Sequence, residues 1–165
     1  MTSRAPHRRY VYLALAVGAI VALDQASKAL VTARIPLYHS IPVIEGLFNL
    51  THLLNPGGAF GFLAGQAPGV RHLLFVVATF LAVGLILYYF HRTPREYRAL
   101  AAAFALILGG AAGNLIDRLR FGQVVDFLDF YIGRYHWPAF NIADSAITLG
   151  IGIFVGHLIF NRLPE

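Results

Sequence analysis

The sequence predicts an all-α membrane protein, a bundle of four transmembrane helices, and three observations carry that prediction. Of its 165 residues, 58% are hydrophobic and only 13% are charged, a balance outside that of ordinary soluble domains. Four stretches, Tyr10 to Leu30, Val70 to Phe90, Ala99 to Ile116 and Ile142 to Phe160, each supply the roughly 20 apolar residues that cross a hydrocarbon core of about 30 Å. Charge is also distributed as topology demands: segments 1–9, 91–98 and 161–165 hold seven Lys or Arg in 22 residues, whereas 31–69 and 117–140 hold four in 63. The positive-inside rule then puts both termini and the HRTPREYR turn in the cytoplasm. The two longer loops, 31–69 and 117–141, face outward, and residues 1–165 form one integral membrane domain.

The first span follows a basic leader, MTSRAPHRR, and its apolar run Val11 to Leu23 also fits a signal peptide. Its continuation through DQASKAL (24–30) argues for a retained helix, ending where Pro36 disfavours further helix. The stretch IPVIEGLFNLTHLLNPGGAFGFL (41–63) mixes β-branched and aromatic residues with Gly46, Pro56, Gly57 and Gly58. It reads as one or two short strands and a glycine turn on the outer surface. The second span returns without a charge from Leu73 to Phe90. In the third, Gly109, Gly110 and Gly113 allow a neighbouring helix to approach closely. The loop before the fourth span, FGQVVDFLDFYIGRYHWPAF, predicts an extended segment and a turn, with Tyr131, Tyr135 and Trp137 suited to an interfacial belt.

The basic balance, a formal charge of +5, does not indicate nucleic acid, because no soluble face carries a basic stripe. The absence of cysteine excludes disulfides, thiol nucleophiles, cysteine zinc sites and Cys-linked lipid on this chain. Polar groups are concentrated instead. At a rise of about 1.5 Å per residue, Asp24 and Lys28 lie about 21 and 27 Å up the first span, and Asn114 and Asp117 about 22 and 27 Å up the third. Asn141 and Asp144 stand at the outer start of the fourth. Four segments thus deliver polar side chains to one depth, where each needs a partner, water or a task. Asp24 with Lys28, Gly110 with Asn114, and Asn114 with Arg118 are four apart on helix faces. An ion pair explains the first, and a snorkelling helix end explains the last. Neither explains the convergence.

The seven histidines form no HExxH pair, so a zinc protease is not indicated, and Ser27 and Ser145 lack the setting of a serine nucleophile. Carboxylates remain. Two of them held close cannot both ionise easily. The charged member can then take a proton from a water attacking an amide carbonyl while the protonated member donates to the carbonyl oxygen. Asp144 begins a helix, where the dipole favours negative charge, but a coupled pair titrates as a unit. By position its partner can be Asp117, Asp126 or Asp129.

DQASK (24–28), NPGGAFG (55–61), GNLIDRLRFGQVVDF (113–127) and PAFNIADSAIT (138–148) closely resemble, in order and spacing, the motifs of the lipoprotein signal peptidase (signal peptidase II) family. The resemblance implies an aspartic endopeptidase of the bacterial inner membrane, with four transmembrane helices and a small extramembrane β-cradle. It implies a prolipoprotein substrate with a lipid-modified signal peptide, cut just before the lipidated cysteine, and membrane lipids as surroundings. The catalytic pair it implies is Asp126 and Asp144. Asp24, Lys28, Asn55, Gly110, Asn114, Arg118 and Asn141 are implied to support the site or hold substrate. Asp129 then becomes a surface carboxylate and Asp117 a structural partner near Arg118. No metal or organic cofactor is expected. The rival from another class is a proton-coupled transporter or channel, which needs polar residues through the full depth of a span. A structural assembly protein would tolerate loss of each carboxylate, and an intramembrane protease of the presenilin kind would carry GxGD, absent here.

Overall fold

A computed structural model describes residues 5–57 and 65–160. Four helices, α1 (Ala5–Arg34), α2 (Pro68–Arg92), α3 (Arg98–Phe121) and α4 (Ile142–Phe160), are joined by four short strands, β1 (Ser40–Ile44), β2 (Phe48–Asn55), β3 (Val124–Ile132) and β4 (Tyr135–His136). All four helices are long and apolar enough to cross a membrane. Leu15, Leu81, Ile159 and many other large apolar side chains are exposed on their outer faces, where only lipid can cover them without cost. The third helix overruns its sequence-predicted end at Ile116 by five residues. Asp117 and Arg118 are therefore helical rather than part of an outer loop. The helix stops at Gly122, whose φ of +73° suits the left-handed cap and lets its N–H bond the Arg118 carbonyl at 2.8 Å.

Within the bundle α3 is the hub, packing on all three other helices. Close approach to α4 depends on glycine at two levels. A Cβ on Gly110 would overlap the Ala143 carbonyl oxygen, and one on Gly150 would lie 2.8 Å from that of Ala103. The glycines read as a small-residue interface therefore are one. At one end, Leu13, Phe90, Leu100, Phe104 and Leu108 form an apolar cluster. There Arg9 of α1 donates to the Thr93 carbonyl at 2.6 Å and to that of Phe90, satisfying acceptors that the end of α2 leaves open.

At the other end sits an antiparallel sheet in the order β1-β2-β3-β4. Val31, Ile35 and Phe127 join it to α1 in a second apolar cluster. The two strands expected within 41–63 are β1 and β2, turning at Gly46 (φ +79°). The tip is fixed by the Gly46 N–H donating to the Tyr131 hydroxyl at 3.0 Å, so Tyr131 has a structural duty beside its place in an aromatic belt. Trp137 and Tyr135 are exposed, as a belt requires. Of the expected glycine turn, residues 58–61 lie outside the described residues.

The register of β2 on β3 decides which side chains meet the helices. Leu50 opposes Leu128, but Leu53 opposes Asp126, so β2 spends one residue more than β3 between these pairs. This bulge reverses the alternation. Without it Asn55 would point to the face opposite Asp126; with it, Leu53, Asn55 and Asp126 share a face. Beyond β4 the chain returns along β3, where the Leu128 and Phe140 backbones exchange bonds of 2.8 and 3.1 Å. The next residue, Asn141, is thereby set beside Asp126 just as α4 begins.

Candidate active site

The start of α4 organises the polar layer. Asn141 caps the helix: its Oδ1 accepts from the Asp144 N–H at 2.9 Å, while Asp144 Oδ2 accepts from the Asn141 N–H at 3.2 Å. This is a reciprocal capping box with an aspartate in the place usually held by Glu or Gln. A further free N–H of the first turn, that of Ala143, donates to Asp24 Oδ1 of α1 at 2.9 Å. The carboxylates therefore satisfy donors that the helix start leaves open and lie in the favourable field of its dipole.

Asp126 and Asp144 meet at Asn141. The fully buried Asn141 side chain donates to Asp126 Oδ1 at 2.8 Å and approaches Asn114 Oδ1 and the Val125 carbonyl at 3.2 Å each. Asn55 donates to Asp126 Oδ2 at 2.9 Å, and Asn114 donates to Asp144 Oδ1 at 2.7 Å. Each of the four carboxyl oxygens thus takes one nitrogen donor and keeps a further lone-pair direction open. Asp126 is buried, and Asp144 half-buried. Burial first, and then the neighbouring Asp144 charge, push the Asp126 carboxyl up to about 7, against the lowering effect of its Asn55 and Asn141 bonds and of Lys28.

Beneath this pair lies a buried ionic cluster. Lys28 Nζ is 2.8 Å from Asp24 Oδ2, 2.8 Å from Asp117 Oδ2 and 3.0 Å from Asn114 Oδ1. The expected Asp24–Lys28 pair is therefore one half of a three-residue arrangement. The partner expected for Asp117 was Arg118; the structure gives it Lys28, Gln25 Nε2 at 2.9 Å and the Val125 N–H at 3.1 Å. Adjacent residues on a helix do not face each other, which is why Asp117 and Arg118 part. Arg118 is half-buried, with its guanidinium 5.1 Å from the Phe75 ring centre. Its nearest hydrogen bond is a long one of 3.5 Å to the Asn114 carbonyl. Gly110 and Gly113 keep α3 tight against this layer, a Cβ on Gly113 meeting Asp24 Oδ2 at 2.6 Å.

Asp129 lies elsewhere than the sequence predicts. It is buried rather than a surface carboxylate, but on the other face of β3 from Asp126, accepting from Asn49 at 2.9 Å and lying 2.8 Å from His136. The two are three positions apart along a strand, so alternation turns them to opposite faces. Of the site residues named from the sequence, Asp24, Lys28, Asn55, Gly110, Asn114, Asp126, Asn141 and Asp144 come together directly, with Arg118 at the margin.

The chain as a whole is similar to known proteins. The family model described as signal peptidase (SPase) II matches residues 16–160. The chain belongs to the signal peptidase II family. Relatives called lipoprotein signal peptidase include one from Desulforapulum autotrophicum, 56% identical over 96% of this chain and 98% of that protein. Another, from Syntrophus aciditrophicus, is 50% identical over 88% and 90%. A solved bacterial membrane enzyme, determined by the in meso method, superposes with a TM-score of 0.81 at 29% identity, covering 92% of this chain and 94% of that one. Membership makes the chain a peptidase, and the resemblance read from its four motifs is borne out.

Sequence reasoning missed Gln25. Its amide bridges α1 to α3, reaching Asp24 at 3.2 Å, the Gly113 carbonyl at 3.2 Å and Asp117 at 2.9 Å. The available signal was its place inside DQASK, between two residues already singled out.

Proposed function

We propose that this signal peptidase II family member is an aspartic endopeptidase. It removes signal peptides from diacylglyceryl-modified prolipoproteins, cutting before the lipidated cysteine, with Asp126 and Asp144 as the catalytic pair. The observation that carries the assignment is Asn141: one residue donates its side chain to Asp126 and its backbone N–H to Asp144. Of the three partners open to Asp144, only Asp126 shares such a bridge with it; Asp117 is committed to Lys28 and Asp129 faces away.

In the reaction, a water held between the two carboxyls gives a proton to the ionised one as its oxygen attacks the scissile carbonyl carbon. The protonated partner donates to the carbonyl oxygen, leaving a neutral tetrahedral intermediate. Collapse breaks the C–N bond: the proton taken from water passes to the departing amine, and one hydroxyl of the intermediate returns a proton to the other carboxylate, which restores the pair. Asn55, Asn114 and Asn141 orient the carboxyl oxygens throughout. The sheet end faces outward, because the arginine-rich end is the one that the positive-inside rule keeps in the cytoplasm. A lipid-modified signal peptide presents its scissile bond at this depth with its acyl chains already in the bilayer.

A proton-coupled transporter is disfavoured because the buried ionisable groups among the described residues all lie toward the sheet end. The decisive experiment expresses the chain with a lipid-modified prolipoprotein and compares wild type with Asp126→Asn, Asp144→Asn and Asp129→Asn. Cleavage is lost in the first two and kept in the third, with membrane insertion unchanged. Cleavage surviving in either of the first two overturns the assignment.

A further inference from the structure

The end of the bundle away from the sheet carries a cleft of about 480 Å³ between α1, α3 and the turn joining α2 to α3. Its mouth is formed by Arg8, Arg95 and Arg98, all exposed. Among the described residues none of these three has a carboxylate within ion-pair distance. Arg9, also in the lining, is already engaged with the end of α2 and with the Phe90 ring, 4.0 Å from its guanidinium carbon. Below the mouth the wall becomes mainly apolar, with Tyr12, Leu13 and Ala16 of α1 and, on the α3 side, the small residues Ala101, Ala102 and Ala105. From Arg98 to Ala105 the cleft descends about 10 Å along the span, at the helical rise per residue.

Three guanidinium groups with no carboxylate partner among the described residues, above a lengthwise apolar channel between two membrane helices, match a ligand with an anionic head and a hydrocarbon tail. We propose that this cleft binds an anionic phospholipid of the adjacent leaflet. Arg8, Arg95 and Arg98 hold the phosphate, and the first part of one acyl chain lies between α1 and α3. Guanidinium pairs with phosphate through paired N–H donors, and each such cation near a membrane surface strengthens binding of anionic lipid about fivefold. A free phosphate would use the mouth but leave the apolar wall empty. The site is at the opposite end of the bundle from Asp126 and Asp144, so it stands apart from the catalytic proposal.

The test is native mass spectrometry of the full-length protein in detergent, titrated with phosphatidylglycerol, with phosphatidylcholine, and with inorganic phosphate alone. The variants are Arg8→Ala/Arg95→Ala/Arg98→Ala, Ala102→Phe, which fills the wall and leaves the arginines, and Arg92→Ala, which removes a charge outside the cleft. Thermal unfolding verifies that each remains folded. The expected result is preferential retention of one phosphatidylglycerol, weakened at least about tenfold in both the triple variant and Ala102→Phe, and unchanged in Arg92→Ala. Equal retention of phosphatidylcholine, equal weakening by Arg92→Ala, or displacement of the lipid by inorganic phosphate with no effect of Ala102→Phe each overturns the proposal.

Discussion

Replacing Asp126 by Asn should change how stability depends on pH more than it changes stability at any single pH. Asp126 holds its proton to about 7 in the fold, whereas its ordinary value is 3.8. With the folded value raised, the protonated carboxyl is favoured by folding. Its contribution is fully present below pH ~4, is lost as pH rises toward ~7, and is absent above. A separation of about three pH units corresponds to about 4 kcal/mol. Asn does not titrate, so its stability curve lacks this fall. It carries a separate and constant cost: its NH2 must face one of two amide donors, Asn55 or Asn141, and one lost bond to a buried group costs about 1–3 kcal/mol. The variant is therefore less stable than wild type near pH 4.5, and equal or more stable near pH 8. At roughly 2–4 °C per kcal/mol for a chain of this size, the difference in Tm between variant and wild type shifts by roughly 10 °C across that range. Thermal unfolding of the detergent-purified proteins, followed by the fluorescence of the single tryptophan, Trp137, measures it. Parallel curves from pH 4.5 to 8 would refute the reasoning, since they require Asp126 to ionise at its ordinary value despite its burial beside Asp144.

Four further outcomes follow from the same contacts. Lys28→Met leaves Asp24 and Asp117 buried without their cation and should cost about 3–5 kcal/mol; Asp24→Asn/Lys28→Met/Asp117→Asn should recover most of that stability in the same unfolding assay. Asn141→Ala removes the α4 cap, worth about 1 kcal/mol, and the bridge between the two carboxyls. Its kcat on a lipid-modified prolipoprotein should fall at least about tenfold with KM little changed. Asn55→Ala should weaken processing while leaving the fold intact, because Asn55 is half-buried at the edge of the layer and also accepts from the Gly57 N–H at 2.8 Å. Unchanged turnover would remove Asn55 from the site. Gly110→Ala drives a methyl group into the Ala143 carbonyl and Ile147 and should destabilise by about 1–3 kcal/mol, seen as a lowered Tm.

The helices were legible because crossing a bilayer demands one property, apolar length, which any window of sequence displays. The convergence of Asp24, Lys28, Asn114, Asp117 and Asp144 followed from counting helical rise, and the structure places them in one layer. The limit was the sheet. Alternation along β3 separates Asp126 from Asp129, but which of them faces the helices depends on how β3 docks. Whether Asn55 joins Asp126 depends on a bulge near Thr51 and His52 that no local residue preference announces. The partner of Asp117 was misread for a related reason: sequence proximity suggested Arg118, whereas Lys28 arrives from another helix. Motif resemblance supplied what periodicity did not, because it registers the outcome of long-range packing.

One feature of the layer bears on why asparagine, rather than lysine or arginine, contacts the proposed catalytic pair. A cation bonded directly to either carboxyl would favour its ionised form, and with both ionised there is no proton to give the scissile carbonyl. An amide donor orients a carboxyl oxygen while adding no net charge. Among the described residues, every hydrogen bond to the Asp126 and Asp144 carboxyls is of this kind: three come from asparagine side chains and one from a backbone N–H. Lys28 is held one group away, between Asp24 and Asp117; it donates to Asn114 Oδ1 at 3.0 Å while the Asn114 amide nitrogen donates to Asp144 at 2.7 Å. The ammonium thereby polarises the amide that holds Asp144, strengthening that bond without neutralising the carboxylate. Lys28→Met in the charge-neutral Asp24→Asn/Asp117→Asn background separates this effect from folding: stability returns, but cleavage should stay below that of wild type. Full recovery of cleavage in the refolded triple variant would reduce Lys28 to a structural counter-ion.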